Sequence, residues 1–212
     1  MIGTRSLVSV VDDDESVRES LPDLIRQFGF ASQAFSSAEA FLASDVVRQT
    51  SCLLLDIAMP GGNGLDLLKQ LKREQPALPV LILSMYPEEQ YALRVLKAGA
   101  LGYLTKESAT DQLVAAVQAA RRGQRYASPE IVGHLVAALA TEKEESPQKS
   151  LSDREFEILR LIAQGHGVSR IAQKLSLSVS TVGTYRARLL RKLGLRQTAE
   201  LIAYAVRHGL AD

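Results

Sequence analysis

Several things are scarce in this chain, and each scarcity excludes something. There is one cysteine, Cys52, so no internal disulfide can form. It lies in the apolar run "SCLLLD", where a reduced thiol acts as a small hydrophobe. No apolar run approaches the ~20 residues that a membrane-spanning helix needs. The first residues lack the basic region and small-residue cleavage site of a secretory leader, so the expectation is a cytoplasmic protein with no membrane partner. Histidines number three, and none lies near the acidic clusters discussed below. A site built on soft or imidazole ligands is therefore not expected.

Charge is nearly balanced overall, at +1, but unevenly placed. Residues 1–150 carry 15 basic against 19 acidic side chains, whereas residues 151–212 carry 10 against 5. A basic C-terminal third points toward a polyanionic partner. A length of 212 residues predicts two domains of roughly 100 residues each.

In the first part, short apolar runs alternate with amphipathic stretches. The runs are "LVSVV" (7–11), the weaker "FASQAF" (30–35), "CLLLD" (52–56), "PVLILS" (79–84) and "LGYLT" (101–105). Helical patterns fall near 15–28, 37–47, 64–75, 87–98 and 108–122. Runs that are apolar on both faces predict a parallel sheet covered on both sides, a doubly wound α/β domain. Such sheets gather ligands at the carboxyl ends of their strands. The chemically unusual residues stand there: "DDDE" (12–15) after the first run, Asp56 ending the third, Ser84 ending the fourth and Lys106 just after the fifth. Crowded carboxylates repel one another unless a divalent cation neutralises them, and oxygen-only donors suit Mg²⁺ or Mn²⁺. A plainer reading of "DDDE" alone is a helix start, since acids favour helix N-termini. Four strand ends taken together favour the site.

The stretches "VVDDDESVR" (10–18), "LLLDIAMPGGNG" (53–64), "LILS" (81–84) and "KAGALGYLTKES" (97–108) resemble the receiver domain of two-component response regulators. The resemblance implies a flavodoxin-like (βα)5 fold over residues 1–122 and a phosphoacceptor at Asp56. It implies Mg²⁺ ligation by Asp13 directly, Asp12 through water, Asp56 and the backbone carbonyl of Ala58. Lys106 would hold phosphoryl oxygens and Ser84 would bond one of them once attached. Ser84 and Tyr103 fill the family's switch positions, while Asp14 and Glu15 are assigned to the helix start. Pro60 and Gly64 would shape the acceptor loop, Gly64 by permitting unusual backbone angles. One departure is Glu107, where many receivers have proline after the lysine.

Residues 123–147 read as a connection containing one helix near 129–140, with Ser128 as its N-cap and Pro129 at its first position. The polar stretch "TEKEESPQKS" (141–150) completes it. Residues 148–212 show four helical patterns, near 152–164, 168–175, 179–193 and 197–208, with Ser152 and Glu155 at capping-box spacing. The tight connection "LSLS" predicts a helix-turn-helix at about 168–187. The stretch 179–194 has four basic residues and no acid. At 100° per residue Val182, Leu189 and Leu193 form its apolar stripe. Ser180, Thr184, Ala187 and Arg191 lie opposite, with Thr181, Tyr185, Arg188 and Lys192 along one flank.

"LSDREFEILRLIAQG", "IAQKLSLSVSTV" and "RKLGL" resemble the LuxR-type helix-turn-helix of the NarL/FixJ regulators. The implied function is a transcriptional regulator that a sensor histidine kinase phosphorylates and that binds promoter DNA, phosphorylation in the family commonly releasing the DNA domain or favouring a dimer. Thr184 and Arg188 are the candidates for base edges, with Ala187 against a thymine methyl group. Ser180, Thr181, Tyr185, Arg191 and Lys192 suit phosphates. Lys192→Ala is expected to lower the salt slope of binding by about one unit. Gly183 and Tyr185 stand where many members have lysine and histidine, so sequence preference does not carry over. An aspartyl-nucleophile phosphatase is disfavoured, because its second acid two residues after the nucleophile is Ala58 here. A regulator switched by a ligand or partner instead of phosphorylation is the other alternative.

Overall fold

The computed structural model describes residues 6–59, 64–129, 131–133 and 150–210, with backbone alone at Glu89 and Gln90. The chain divides into two compact units, Met1–Ala137 and Ala138–Asp212.

Among the described residues of the first unit, β1 (Leu7–Val11), β2 (Ala31–Phe35), β3 (Thr50–Asp56), β4 (Val80–Ser84) and β5 (Gly102–Thr105) form one parallel sheet in the order β2-β1-β3-β4-β5. The helices α1 (Glu15–Gln27), α2 (Ala38–Leu42), α3 (Gly64–Glu74), α4 (Glu88–Lys97) and α5 (Ala109–Arg121) supply the crossovers. The three central strands β1, β3 and β4 are buried on both faces, which is why their sequences read as unbroken apolar runs. β2 is an edge strand with partly exposed positions, which accounts for its weaker apolar signal. Strand order reverses between β1 and β3, placing the crevice at the ends of those two strands.

The helix expected over 37–47 is shorter. α2 ends at Leu42, where the Ser44 hydroxyl donates to the Phe41 carbonyl, and a 3₁₀ turn over Val47–Gln49 leads into β3. Competition of this kind from a serine side chain ends helices. Cys52 is fully buried, and burial pushes its thiol up to about 12, so it is an inert core group.

The first unit continues past residue 122. The Tyr126 backbone N–H donates to Leu101 O at 2.7 Å, and Tyr126 pairs with Gly102 in a parallel bridge beyond β5. Ser128 then accepts from the Ile131 N–H at 3.1 Å, as the expected cap of a helical stretch. The rest of the expected helix to 140, and residues 141–149 of the expected connection, lie outside the described residues.

The described part of the second unit holds α6 (Asp153–Ala163), α7 (Val168–Lys174), α8 (Val179–Lys192) and α9 (Thr198–Arg207). The Ser152–Glu155 capping box is formed in both directions. The α7–α8 turn passes through Ser176 at φ +52°, a left-handed position that lets the chain reverse within a few residues. Ser178 caps α8 by accepting from Thr181 N–H at 3.0 Å.

Candidate phosphoacceptor site and recognition helix

The parallel strands end on one rim, and so bring together side chains 94 residues apart in sequence. Lys106 Nζ lies 2.8 Å from Asp12 Oδ2 and 2.8 Å from Asp56 Oδ2, bridging the ends of β1 and β3 from the end of β5. Its own backbone N–H donates to Ser84 O at 2.8 Å, which anchors the lysine to β4. Asp12, Asp56 and Ser84 are buried, and Asp13 is exposed beside them. Asp14 opens α1, accepting from Ser16 N–H at 2.9 Å, as assigned from sequence.

Burial drives the electrostatics. Desolvation pushes Asp56 up to about 6 despite its bonds from Lys106 and from the Ala58 N–H, the latter 2.7 Å from Oδ1. Asp12 is raised for the same reason, and Lys106 is raised because its bonds to Asp12 and Asp56 outweigh its own burial. Carboxylate oxygens of Asp12, Asp13 and Asp56 lie within 4.8 Å of one another. One ammonium cannot balance three carboxylates. An oxygen-only donor set with a residual double negative charge fits a hard divalent cation.

Two features of the rim were not legible in sequence. The Arg18 guanidinium donates to the Asp12 carbonyl at 3.0 Å, fixing the backbone between the two acids. Gly64 is required for space: a Cβ there would lie 2.2 Å from Asp56 O and 2.7 Å from Ile57 Cα. This corrects the expectation of an unusual backbone angle, since Gly64 is not at positive φ. Pro60 lies outside the described residues.

Ser84 and Tyr103, the residues expected at the switch positions, are connected through one residue. Tyr86 N–H donates to Ser84 Oγ at 3.1 Å, and Tyr103, fully buried, donates its hydroxyl to Tyr86 O at 2.7 Å. Tyr86 stacks on Tyr91 of α4, their centroids 5.1 Å apart.

On α8, Val182 and Leu189 are fully buried and Leu193 is partly so. Ser180, Thr184, Ala187, Arg188 and Arg191 are exposed, while Thr181 and Tyr185 are half-buried. Arg188 lies over the Tyr185 ring, 5.7 Å from its centroid. Hydroxyls of Ser180 and Thr181 bond the Ser178 hydroxyl at 2.8 and 2.7 Å, and Thr184 Oγ1 donates to Ser180 O at 3.0 Å.

Lys192 has partners that its sequence expectation did not include. Its Nζ lies 2.6 Å from Glu155 Oε2 and 3.2 Å from Ser150 O, so it closes an ion pair inside its own unit. Glu155 is only 3% exposed, although it belongs to the first turn of α6, and removal of its partner would strand a buried carboxylate. Lys192→Met is expected to lower the stability of the second unit by about 1–2 kcal/mol, the lysine's own solvent exposure reducing the full effect of a buried pair. Glu155 is held below the ordinary glutamate range because the bonds from Lys192 and Ser152 outweigh its burial. A depressed carboxyl stabilises above its unfolded pKa and loses that contribution as pH falls through its folded value. Urea unfolding of both proteins is therefore expected to show a difference at pH 7 that disappears in acid.

These parts define a class: an α/β domain with an acid-rich metal-fitting rim, joined to a basic helix-turn-helix unit. The response regulator receiver domain family matches residues 8–118, and the luxR family of bacterial regulatory proteins matches residues 149–205. The response regulator GacA of Pseudomonas aeruginosa is 36% identical over 209 residues, covering 97% of each chain. The response regulator UvrY of Escherichia coli is 33% identical over 211 residues, covering 97% of this chain and 95% of UvrY. RcsB of Salmonella enterica serovar Typhimurium, solved bound to the promoter rprA with the phosphomimetic BeF₃⁻, is 26% identical with a TM-score of 0.64 over 94% of this chain and 98% of that one. The chain belongs to the response regulators, as a receiver joined to a luxR-family unit. Among the described residues, no helix is long and apolar enough to cross a membrane.

Proposed function

We propose that this response regulator accepts a phosphoryl group on Asp56 from the phosphohistidine of a sensor kinase, and that the modified receiver controls promoter binding by α8. The observation that carries the reading is Lys106 bridging Asp12 and Asp56 at 2.8 Å each, which leaves an acceptor carboxylate beside a fixed cation on an otherwise acidic rim.

A carboxylate oxygen of Asp56 attacks phosphorus, a P–O bond forms, and the P–N bond to the donor imidazole breaks, the electron pair leaving with the imidazole. Lys106 neutralises charge on the transferring group without moving from where its backbone bond to Ser84 sets it. Mg²⁺ or Mn²⁺, held by Asp12, Asp13, Asp56 and the Ala58 carbonyl, would supply further charge neutralisation when bound. The Ala58 N–H holds Asp56 Oδ1, leaving one oxygen to react. Ser84 turns its hydroxyl from Tyr86 N–H to the new phosphoryl oxygen, and buried Tyr103 holds the Tyr86 carbonyl as that loop readjusts. Activation that survives Ser84→Ala and Tyr103→Ala unchanged would rule out this coupling.

Downstream, Thr184, Arg188 and Ala187 face base edges, while Ser180, Thr181, Tyr185 and Arg191 face phosphates. The salt-slope expectation passes from Lys192 to exposed Arg191, whose replacement by alanine should flatten the slope by about one unit. Dimerisation on activation would match paired half-sites.

The decisive experiment is incubation of the protein with acetyl phosphate and Mg²⁺, followed by intact mass measurement and borohydride reduction. A gain of one phosphoryl group, reduced to homoserine at position 56, supports the proposal. No gain with Mg²⁺ or Mn²⁺ would sink it.

A further inference from the structure

Residues following α5 return to the sheet edge at β5 rather than merely leaving the receiver. Tyr126 is hydrogen-bonded to Leu101, and a side chain on Gly102 would come within 2.9 Å of the Tyr126 carbonyl, so the segment lies flush on the sheet edge. The Tyr126 hydroxyl donates to Gln112 of α5 at 3.3 Å. Two residues on, Ser128 is 1% exposed and its hydroxyl has two engagements. It accepts from Ile131 N–H, starting the helical stretch, and it donates to Glu88 Oε2 at 2.5 Å. Glu88 is the first residue of α4, two positions after the Tyr86 that joins Ser84 to Tyr103. Glu88 and Lys106 line the same cleft, together with Met85, Pro87, Thr105 and Ser108.

We propose that the Ser128–Glu88 bond is a latch that fastens the interdomain segment to the receiver before phosphorylation and opens afterwards. This rests on Asp56 being the phosphoacceptor. Two forces act on Glu88 when phosphorylation occurs. Departure of the Ser84 hydroxyl removes the acceptor of Tyr86 N–H and frees the short 85–87 stretch to move the start of α4. The new phosphoryl charge is added on Asp56, beside Lys106, and Lys106 also lines the cleft that holds Glu88, so the added negative charge disfavours the nearby Glu88 carboxylate. A charge-assisted hydrogen bond holds through its geometry, so a small shift of α4 suffices to break it. Ser128 and Glu88 are positioning residues; neither touches the transferring group.

The test is amide hydrogen exchange of the full-length chain, read at Tyr126, Ile131 and Val132, with intact mass recorded on the same samples. Without phosphodonor, Ser128→Ala and Glu88→Ala are expected to exchange about tenfold faster there than wild type, the effect of losing one charge-assisted bond. Ser128→Ala also loses the cap, but Glu88→Ala does not, so the latch is read from the second. Glu88→Gln keeps an acceptor oxygen and should retain most of the protection. With acetyl phosphate and Mg²⁺, wild type should rise toward the Glu88→Ala rate, whereas Glu88→Ala should change little. A phosphoryl mass gain with unchanged exchange in the segment overturns the latch alone. Absence of the mass gain overturns the acceptor assignment and the latch with it.

Discussion

Replacement of Lys106 by methionine is expected to destabilise the receiver by several kcal/mol and to slow phosphoryl uptake at least a hundredfold. Lys106 Nζ bonds two buried carboxylates, Asp12 and Asp56, at 2.8 Å each. Removing one partner of a buried ion pair costs about 3–5 kcal/mol, because the remaining charge keeps its desolvation cost and loses its compensation. Methionine matches the lysine's length, so the change isolates charge from packing. Loss of one preorganised electrostatic contact to a transferring group typically costs about 10²–10³ in rate. A divalent cation should restore more stability to the variant than to wild type, since it becomes the rim's main positive charge. Thermal unfolding with and without Mg²⁺ and a time course of mass gain measure the two effects separately. A variant as stable as wild type would mean that the lysine does not compensate these acids.

Gly64→Ala is the second large effect. The built Cβ meets the Asp56 carbonyl oxygen at 2.2 Å and the Ile57 Cα at 2.7 Å, and these are backbone atoms of the strand end that carries the acceptor. A flexible side chain would swing aside, whereas this contact requires α3 or the end of β3 to shift. Overpacking commonly costs about 1–3 kcal/mol, and a backbone clash belongs at the upper end of that range or beyond. Phosphoryl uptake should fall with it, because a displacement of the Asp56 backbone misaligns its carboxylate with Lys106. By contrast Gly183→Ala, with nothing within 4 Å of its built Cβ, should stabilise α8 by about 1 kcal/mol.

The contrast between these glycines shows what is legible in a sequence and what is not. The layered fold was legible because burial on both faces forces continuous apolar runs in β1, β3 and β4, and only edge strand β2 gave a weak signal. The acidic rim was legible because parallel strands all end on one side, so strand-end chemistry converges without knowledge of side-chain positions. The ion pair of Lys192 was not legible for the opposite reason: helical periodicity assigns a face to a residue but does not know that Glu155, 37 positions earlier, waits across that face. The Ser128–Glu88 bond spans 40 residues and the Gly64 contact depends on backbone approach, and neither leaves a periodic trace.

Cys52, sealed within central strand β3 with its thiol pushed up to about 12 by burial, makes the chain chemically silent toward maleimides and other sulfhydryl reagents while the receiver stays folded. Slow labelling therefore clocks the opening of that one unit, without a contribution from the luxR-family unit, which contains no cysteine. The same silence leaves any newly introduced surface cysteine as the sole attachment point for a fluorophore or spin label, on the native background and without prior removal of Cys52.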